Sequence, residues 1–211
     1  MMDLNFTYEE ARSRTDRMLI KGRFSKADVF IAQVGARRFV IKDFSQKGFW
    51  ERNLIGRIVI GREARAYASL AGIDGIPSGF KRLSPFSLAV EYLEGTDFGA
   101  VDQAHIDAAV IQRFERIIHE LHDRGWVHLD LHRRTNILLI QGEVYVIDLA
   151  SALHPGLIPL VGRLLTRLIG LADRLSLIKM KTIFAPQSLT GREKKWLAIR
   201  NKIMPSKWRE S

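Results

Sequence analysis

The stretch His128-Leu129-Asp130-Leu131-His132-Arg133-Arg134-Thr135-Asn136 puts a carboxylate and a carboxamide in one short polar loop, and Val146-Ile147-Asp148-Leu149-Ala150 ends an apolar run on a second carboxylate. An Asp and an Asn in a loop after a long helix, then an Asp closing a strand, suit magnesium-assisted phosphoryl transfer. One Asp would orient an acceptor hydroxyl, while the Asn and the other Asp would offer hard oxygens to Mg2+ across the phosphates. Composition removes other chemistries. The 211 residues include no cysteine, which excludes a disulfide framework, Cys-ligated zinc, an iron–sulfur cluster and a thiol nucleophile. His119-Glu120 opens like the zinc motif H-E-x-x-H, but position 123 holds Asp123 instead of the second histidine.

These groups need elements to hold them. The chain is 46% hydrophobic and 27% charged, enough to bury the core of one or two packed domains. Phe30 to Gln33 and Arg38 to Asp43 are β-prone runs split by Gly35 and read as a hairpin, with a further strand near Met18 to Lys21. Ile55 to Leu70 has helical spacing and stops at Gly72, and Phe86 to Tyr92 is the next strand. Asp102 to Arg124 is a long amphipathic helix closed by Gly125. A short hairpin, Ile137 to Ile140 and Val144 to Ile147, separates Asn136 from Asp148, and 157–180 is again helical in period. Beyond Thr190 the chain is polar and basic, and is read as a tail.

In this order the residues resemble the protein-kinase-like superfamily over most of 18–152. The resemblance implies an α+β, two-lobed fold with a small antiparallel-sheet N-lobe (1–92), a shortened helical C-lobe (93–186) and a basic tail (187–211). It makes Asp130 the catalytic Asp, Asn136 the loop Asn and Asp148 the magnesium Asp, here in Asp-Leu-Ala. Lys42 of Val40-Ile41-Lys42 is the lysine that grips the α- and β-phosphates, and Glu63 is its helix partner. Glu91 to Gly95, with Glu91 and Leu93, matches the hinge for adenine. Gly22 and Val29 keep the first glycine and the valine of G-x-G-x-x-G-x-V, while Phe24 and Ala27 replace the other two glycines and Ser25 adds a phosphate contact. ATP, between the lobes, and Mg2+ are the implied cofactors.

Two departures and one further likeness shape the reading. The customary spacing puts the loop Asn at position 135, where this chain has Thr135, so one residue must loop out near Arg133 or Arg134. Few residues follow Asp148, and such brevity is similar to RIO-type protein kinases and to bacterial kinases of lipopolysaccharide core sugars. His132 resembles a histidine of aminoglycoside and choline phosphotransferases. The acceptor assignment leans to protein Ser/Thr, with a lipopolysaccharide core sugar (heptose or Kdo) at the inner membrane surface as the alternative. A small alcohol, or a non-catalytic ATP-binding scaffold, ranks lower.

The formal net charge is +10. From Leu157 onward twelve Lys and Arg face three acids, so this end is expected to meet an anionic partner. An anionic membrane is the expected one, with nucleic acid not favoured. The leucine-rich stripe of 157–180 can pack on the core or lie on a membrane. With no signal-like or spanning run, the protein is expected in the cytoplasm, or peripheral at the inner face of its membrane.

Overall fold

The computed structural model describes residues 4–23, 25–155, 166 and 168–203, the last four without side-chain detail. The fold is α+β. It divides into two compact units: residues up to Glu94 together with Ile147–Leu153, and Gly95–Val146 together with the chain from His154 onward.

The first unit is built on a five-stranded, wholly antiparallel sheet in the order β1-β2-β3-β5-β4. Its strands are β1 (Thr15–Ile20), β2 (Asp28–Val34), β3 (Arg37–Asp43), β4 (Phe80–Ser84) and β5 (Ser87–Glu91). Val34 pairs with Arg37, so β2 and β3 are joined by the two residues Gly35 and Ala36. Gly35 has φ +61°, a conformation that tight hairpins ask of glycine. Alternation along β3 sends Phe39 and Ile41 to one face, where they join Phe6, Ala11, Phe30 and Ala89 in a dry cluster, and sends Val40 and Lys42 to the other. A short helix α1 (Tyr8–Ser13), capped by Thr7, contributes Ala11 to that cluster.

Helix α2 (Arg57–Leu70) continues directly from a π turn at Glu51–Gly56. Its buried residues are Ile60, Glu63, Ala66, Tyr67 and Leu70, a stripe at helical spacing. Glu63 therefore sits where an apolar residue would be expected, which requires a buried partner. Tyr67 stacks on Phe80, ring centroids 5.7 Å apart.

In the second unit, β6 (Thr96–Asp97), β7 (Ile137–Ile140) and β8 (Glu143–Val146) form a three-stranded antiparallel sheet. Helix α3 (Ala108–Asp123) starts at Asp107, whose carboxylate accepts from the Val110 N–H at 2.8 Å. It ends in a Schellman turn, with Trp126 N–H bonded to the Leu121 carbonyl, Gly125 N–H to that of His122, and Gly125 at φ +77°. Helices α4 (Leu171–Phe184) and α5 (Gly191–Ile203) follow.

The strands and helices expected at the centre of the sequence are present with shifted ends. The helix assigned to 102–124 begins at Ala108, behind a single 3-10 turn at Gln103–His105. Of the stripe at 157–180, residues 157–165 and 167 lie outside the described residues, and the helix seen runs on to Phe184. The stretch read as a tail holds helix α5. Thr190 accepts from Glu193 N–H at 3.3 Å and its own N–H donates to Glu193 at 2.7 Å, a capping box that starts a helix. Helix α1 and strands β4 and β6 were not anticipated.

Candidate active site

Two sets of polar groups emerge, one in each unit. In the first, Lys42 near the end of β3 is on the sheet face opposite Phe39 and Ile41, and Glu63 is on the buried stripe of α2. Lys42 Nζ lies 2.6 Å from Glu63 Oε1 and 2.5 Å from Asp148 Oδ1. Glu63 is fully buried and Lys42 14% exposed, whereas Asp148 is 43% exposed. The lysine thus joins an anchored carboxylate to an accessible one.

Burial opposes the charge on Lys42, but the two carboxylates outweigh it and hold its pKa above the usual lysine range. Burial pushes Glu63 above the usual carboxylate range, with Lys42 pulling the other way. Glu63 Oε2 is buried with no hydrogen-bond partner, so the lysine is the main stabiliser of this charge. Tyr67 is also pushed up by burial, then by the charge of Glu63, and its hydroxyl meets the Leu149 backbone.

Asp148 has left-handed backbone, φ +61° and ψ +70°, which Asp tolerates better than most residues. Its Oδ1 accepts from Ala150 N–H at 3.3 Å and caps the 3-10 turn Leu149–Ser151. Arg62 of α2 holds the same turn through the Ala150 carbonyl. The segment carrying Asp148 is therefore fixed to the helix that carries Glu63.

The glycine-poor loop is closed by groups that its motif did not reveal. Asp28 accepts from Gly22 N–H at 2.9 Å and pairs with Lys47 at 2.7 Å, and Lys47 also reaches the Gly22 carbonyl at 2.8 Å. A Cβ on Gly22 would lie 2.2 Å from the Lys26 carbonyl oxygen and 2.3 Å from that of Ala27, so this glycine is required by close backbone approach. Ser25 is exposed in the turn, Phe24 lies outside the described residues, and Val29 faces Lys42 across the β2–β3 ladder. Glu91 ends β5 with its N–H bonded to the Gly79 carbonyl, and Leu93 is half-buried just beyond. Arg38 stacks over Tyr92 at 4.9 Å and pairs with Glu94.

In the second unit the extra residue of the Asp130 loop is absorbed by a 3-10 turn at Arg134–Asn136. That turn buries Asn136 and leaves Thr135 exposed. Asn136 Nδ2 donates to the Asp130 carbonyl at 3.0 Å and to Asp130 Oδ2 at 3.2 Å. Its remaining polar atom, Oδ1, is a hard acceptor. Asp130 Oδ1 faces His132 Nδ1 at 3.4 Å and Arg133 Nε at 3.2 Å, both on exposed side chains.

The loop is set from behind by Asp173 of α4, a residue the sequence did not single out. Asp173 is fully buried. It accepts from the backbone N–H groups of His128 and Leu129, both at 2.8 Å, and lies 3.0 Å from His122 Nε2. Leu129 has φ +69°, a strained conformation for a leucine. His128 is buried, and its Nδ1 accepts from Asp130 N–H at 3.3 Å.

Among the described residues no cluster of three or more His, Cys, Asp or Glu could hold a metal by itself. The Asp148 carboxylate of the first unit and the Asn136 carboxamide oxygen of the second are each a hard oxygen donor of the kind that Mg2+ takes. No helix among the described residues is long and apolar enough to cross a membrane. No curated protein matches the chain. A protein-family model does match: residues 29–155, from β2 to just past the Asp148 turn and so including Lys42, Glu63, Asp130, Asn136 and Asp148, fit the description "lipopolysaccharide core biosynthesis protein (WaaY)", and the chain belongs to that family.

Proposed function

We propose that this chain is an ATP- and Mg2+-dependent kinase that transfers the γ-phosphate to a sugar hydroxyl, heptose or Kdo, of the lipopolysaccharide core. The observation that carries it is the Lys42–Glu63–Asp148 chain of charges, found in a member of a lipopolysaccharide core family. The family favours the sugar over the protein Ser/Thr acceptor to which the sequence leaned, and it does not point to RIO-type kinases.

In this reading Lys42 binds the α- and β-phosphates, held charged and in place by Glu63. Asp148 and Asn136 are the oxygen donors for Mg2+, which supplies positive charge against the phosphate oxygens when bound. Gly22, Ser25 and Val29 line the phosphate end, and Glu91 and Leu93 the adenine end. Asp130 accepts the hydrogen bond of the sugar hydroxyl and takes its proton as the oxygen–phosphorus bond forms and ADP leaves. Asn136 fixes the rotamer of Asp130 through Oδ2, which leaves Oδ1 for the acceptor once the exposed His132 and Arg133 move aside. Catalysis is mainly alignment and charge neutralisation.

The test is transfer of labelled γ-phosphate from Mg-ATP to purified lipopolysaccharide core and to the protein fraction of a lysate, with Asp130→Asn as control. Asp130-dependent label in the glycolipid is expected. Label confined to protein would restore the Ser/Thr reading, and ATP binding without Asp130-dependent transfer would make the chain a scaffold.

A further inference from the structure

The π turn and the start of α2 present a group of large apolar side chains to solvent. Phe49, Trp50, Leu54 and Ile58 are 64%, 78%, 61% and 58% exposed. Scattered apolar exposure is ordinary, but a contiguous set is not. Trp50, Leu54 and Ile58 recur every fourth residue. In a pure α-helix each such step would rotate the side chain by about 40°. The π turn at Glu51–Gly56 is wound more widely, so it offsets that drift and keeps the three on one face. Phe49 packs edge-on against Trp50, centroids 5.4 Å apart, and broadens it.

This face is held rigidly. A Cβ at Gly56 would come within 2.8 Å of Phe44, a buried residue just past β3, so the π turn is packed closely against the segment that leaves the sheet. Arg52 and Arg57 both lie over the Phe86 ring, at 5.3 and 4.9 Å. The apolar side chains are thus displayed by a packed platform. The surroundings are basic: Arg52 and Arg57 flank the face against Glu51, and Arg57 and Arg65 are exposed.

We propose that Phe49, Trp50, Leu54 and Ile58 form a docking surface for an anionic lipid bilayer, inserting at the headgroup boundary while the neighbouring arginines meet the phosphates. This rests on the proposed function, in which the acceptor is a lipid-anchored saccharide that a chain without a described spanning helix must reach at the membrane. Trp at the tip, aliphatic residues behind it and arginines at the rim are the composition of an interfacial contact. A second copy of the chain fits less well, because two-fold pairing through this face would bring arginines against arginines. It also shifts the main membrane contact from the basic C-terminal end to the first unit.

The experiment is flotation of the full chain with phosphatidylglycerol–phosphatidylethanolamine vesicles free of lipopolysaccharide, comparing wild type, a Trp50→Ser/Leu54→Ser variant and an Arg192→Ala/Lys194→Ala/Lys195→Ala variant. Circular dichroism and ATP-dependent labelling of deacylated, soluble core are run on each. The wild type should float, and the Trp50/Leu54 variant should bind about tenfold or more weakly, with labelling of the soluble core unchanged and the α5 variant less affected. Trp50 emission should shift to the blue on vesicle addition and lose that shift in Trp50→Phe. Failure of the wild type to float, equal binding by the Trp50/Leu54 variant, or conversion of a dimer to a monomer by that variant would overturn the proposal. Loss of soluble-core labelling in the wild type would instead strike the kinase reading and leave the flotation result standing.

Discussion

Replacing Asp173 by Asn tests how the Asp130 loop is held. Asp173, itself fully buried, accepts two backbone N–H bonds at 2.8 Å and faces His122. Asn keeps the shape but has a single acceptor oxygen, and its NH2 must turn toward one of the two backbone donors or toward His122. A hydrogen bond to a charged group contributes about 1.5–3 kcal/mol, and an orphaned buried donor costs about 1–3 kcal/mol. Losing one such bond, with the donor conflict partly relieved by local movement, therefore costs about 3 kcal/mol. The left-handed Leu129 adds a reason for the loop to relax, since such strain of about 1–3 kcal/mol persists only where the surroundings enforce it. With a urea slope of about 2 kcal/mol/M, the midpoint should fall by about 1.5 M. Phosphoryl transfer at saturating ATP should fall by more than the folded fraction explains, because Asp130 follows Leu129 directly. The assay pairs urea denaturation with single-turnover labelling. A midpoint within about 0.3 M of wild type, together with an unchanged rate, would refute the argument that Asp173 sets this loop.

Three further perturbations follow from the geometry. Lys42→Met leaves Glu63 buried without its cation, a break that costs about 3–5 kcal/mol while the carboxylate is charged. Because burial raises the Glu63 pKa, the folded state binds its proton more tightly than the unfolded state. Stability is then retained below the unfolded value and lost as pH rises through the folded one, so melting curves should show a larger Lys42→Met deficit at pH 8 than at pH 5. Gly22→Ala must open the turn against two backbone carbonyls, and should weaken ATP binding by calorimetry while costing about 1–3 kcal/mol of stability. Thr190→Ala removes the α5 cap at a cost of about 1 kcal/mol and should speed tryptic cleavage at Arg192 and Lys194, with the first unit unaffected.

The candidate site was legible in the sequence because Lys42, Glu63, Asp130, Asn136 and Asp148 lie in short segments whose order and local pattern are informative. The β2–β3 hairpin was equally legible from Gly35 and the alternation beside it. Strand β4 was not: Lys81, Arg82 and Ser84 at a sheet edge give no alternating signal, and its pairing is decided by β5. Helix α1 is too short to show a period. Helix α5 did carry a local signal, the Thr190-x-x-Glu193 box, masked by its surplus of lysines. Lys181, buried 2.8 Å from Glu115 and 3.0 Å from Glu193, ties that helix to α3 and α4. Asp173 acts through His128 and Leu129, more than 40 residues before it, while Asp28 and Lys47 bind each other and Gly22 across a loop whose motif names none of these partners. The exposed face of the π turn and the start of α2 was hidden for a different reason, since apolar periodicity says that a stripe exists and not what covers it.

The return of Ile147–Leu153 to the first unit has a consequence for how the chain is made. Lys42 and Asp148 are 106 residues apart. At a synthesis rate of about 5–20 residues per second, a ribosome needs about 5–20 s to travel from one to the other. During that interval the N-terminal sheet can form its strands and pair Lys42 with Glu63, but its second carboxylate has not yet been translated. The nascent first unit therefore waits, with Lys42 half-partnered, until Gly95–Val146, the leading stretch of the second unit, has been synthesised.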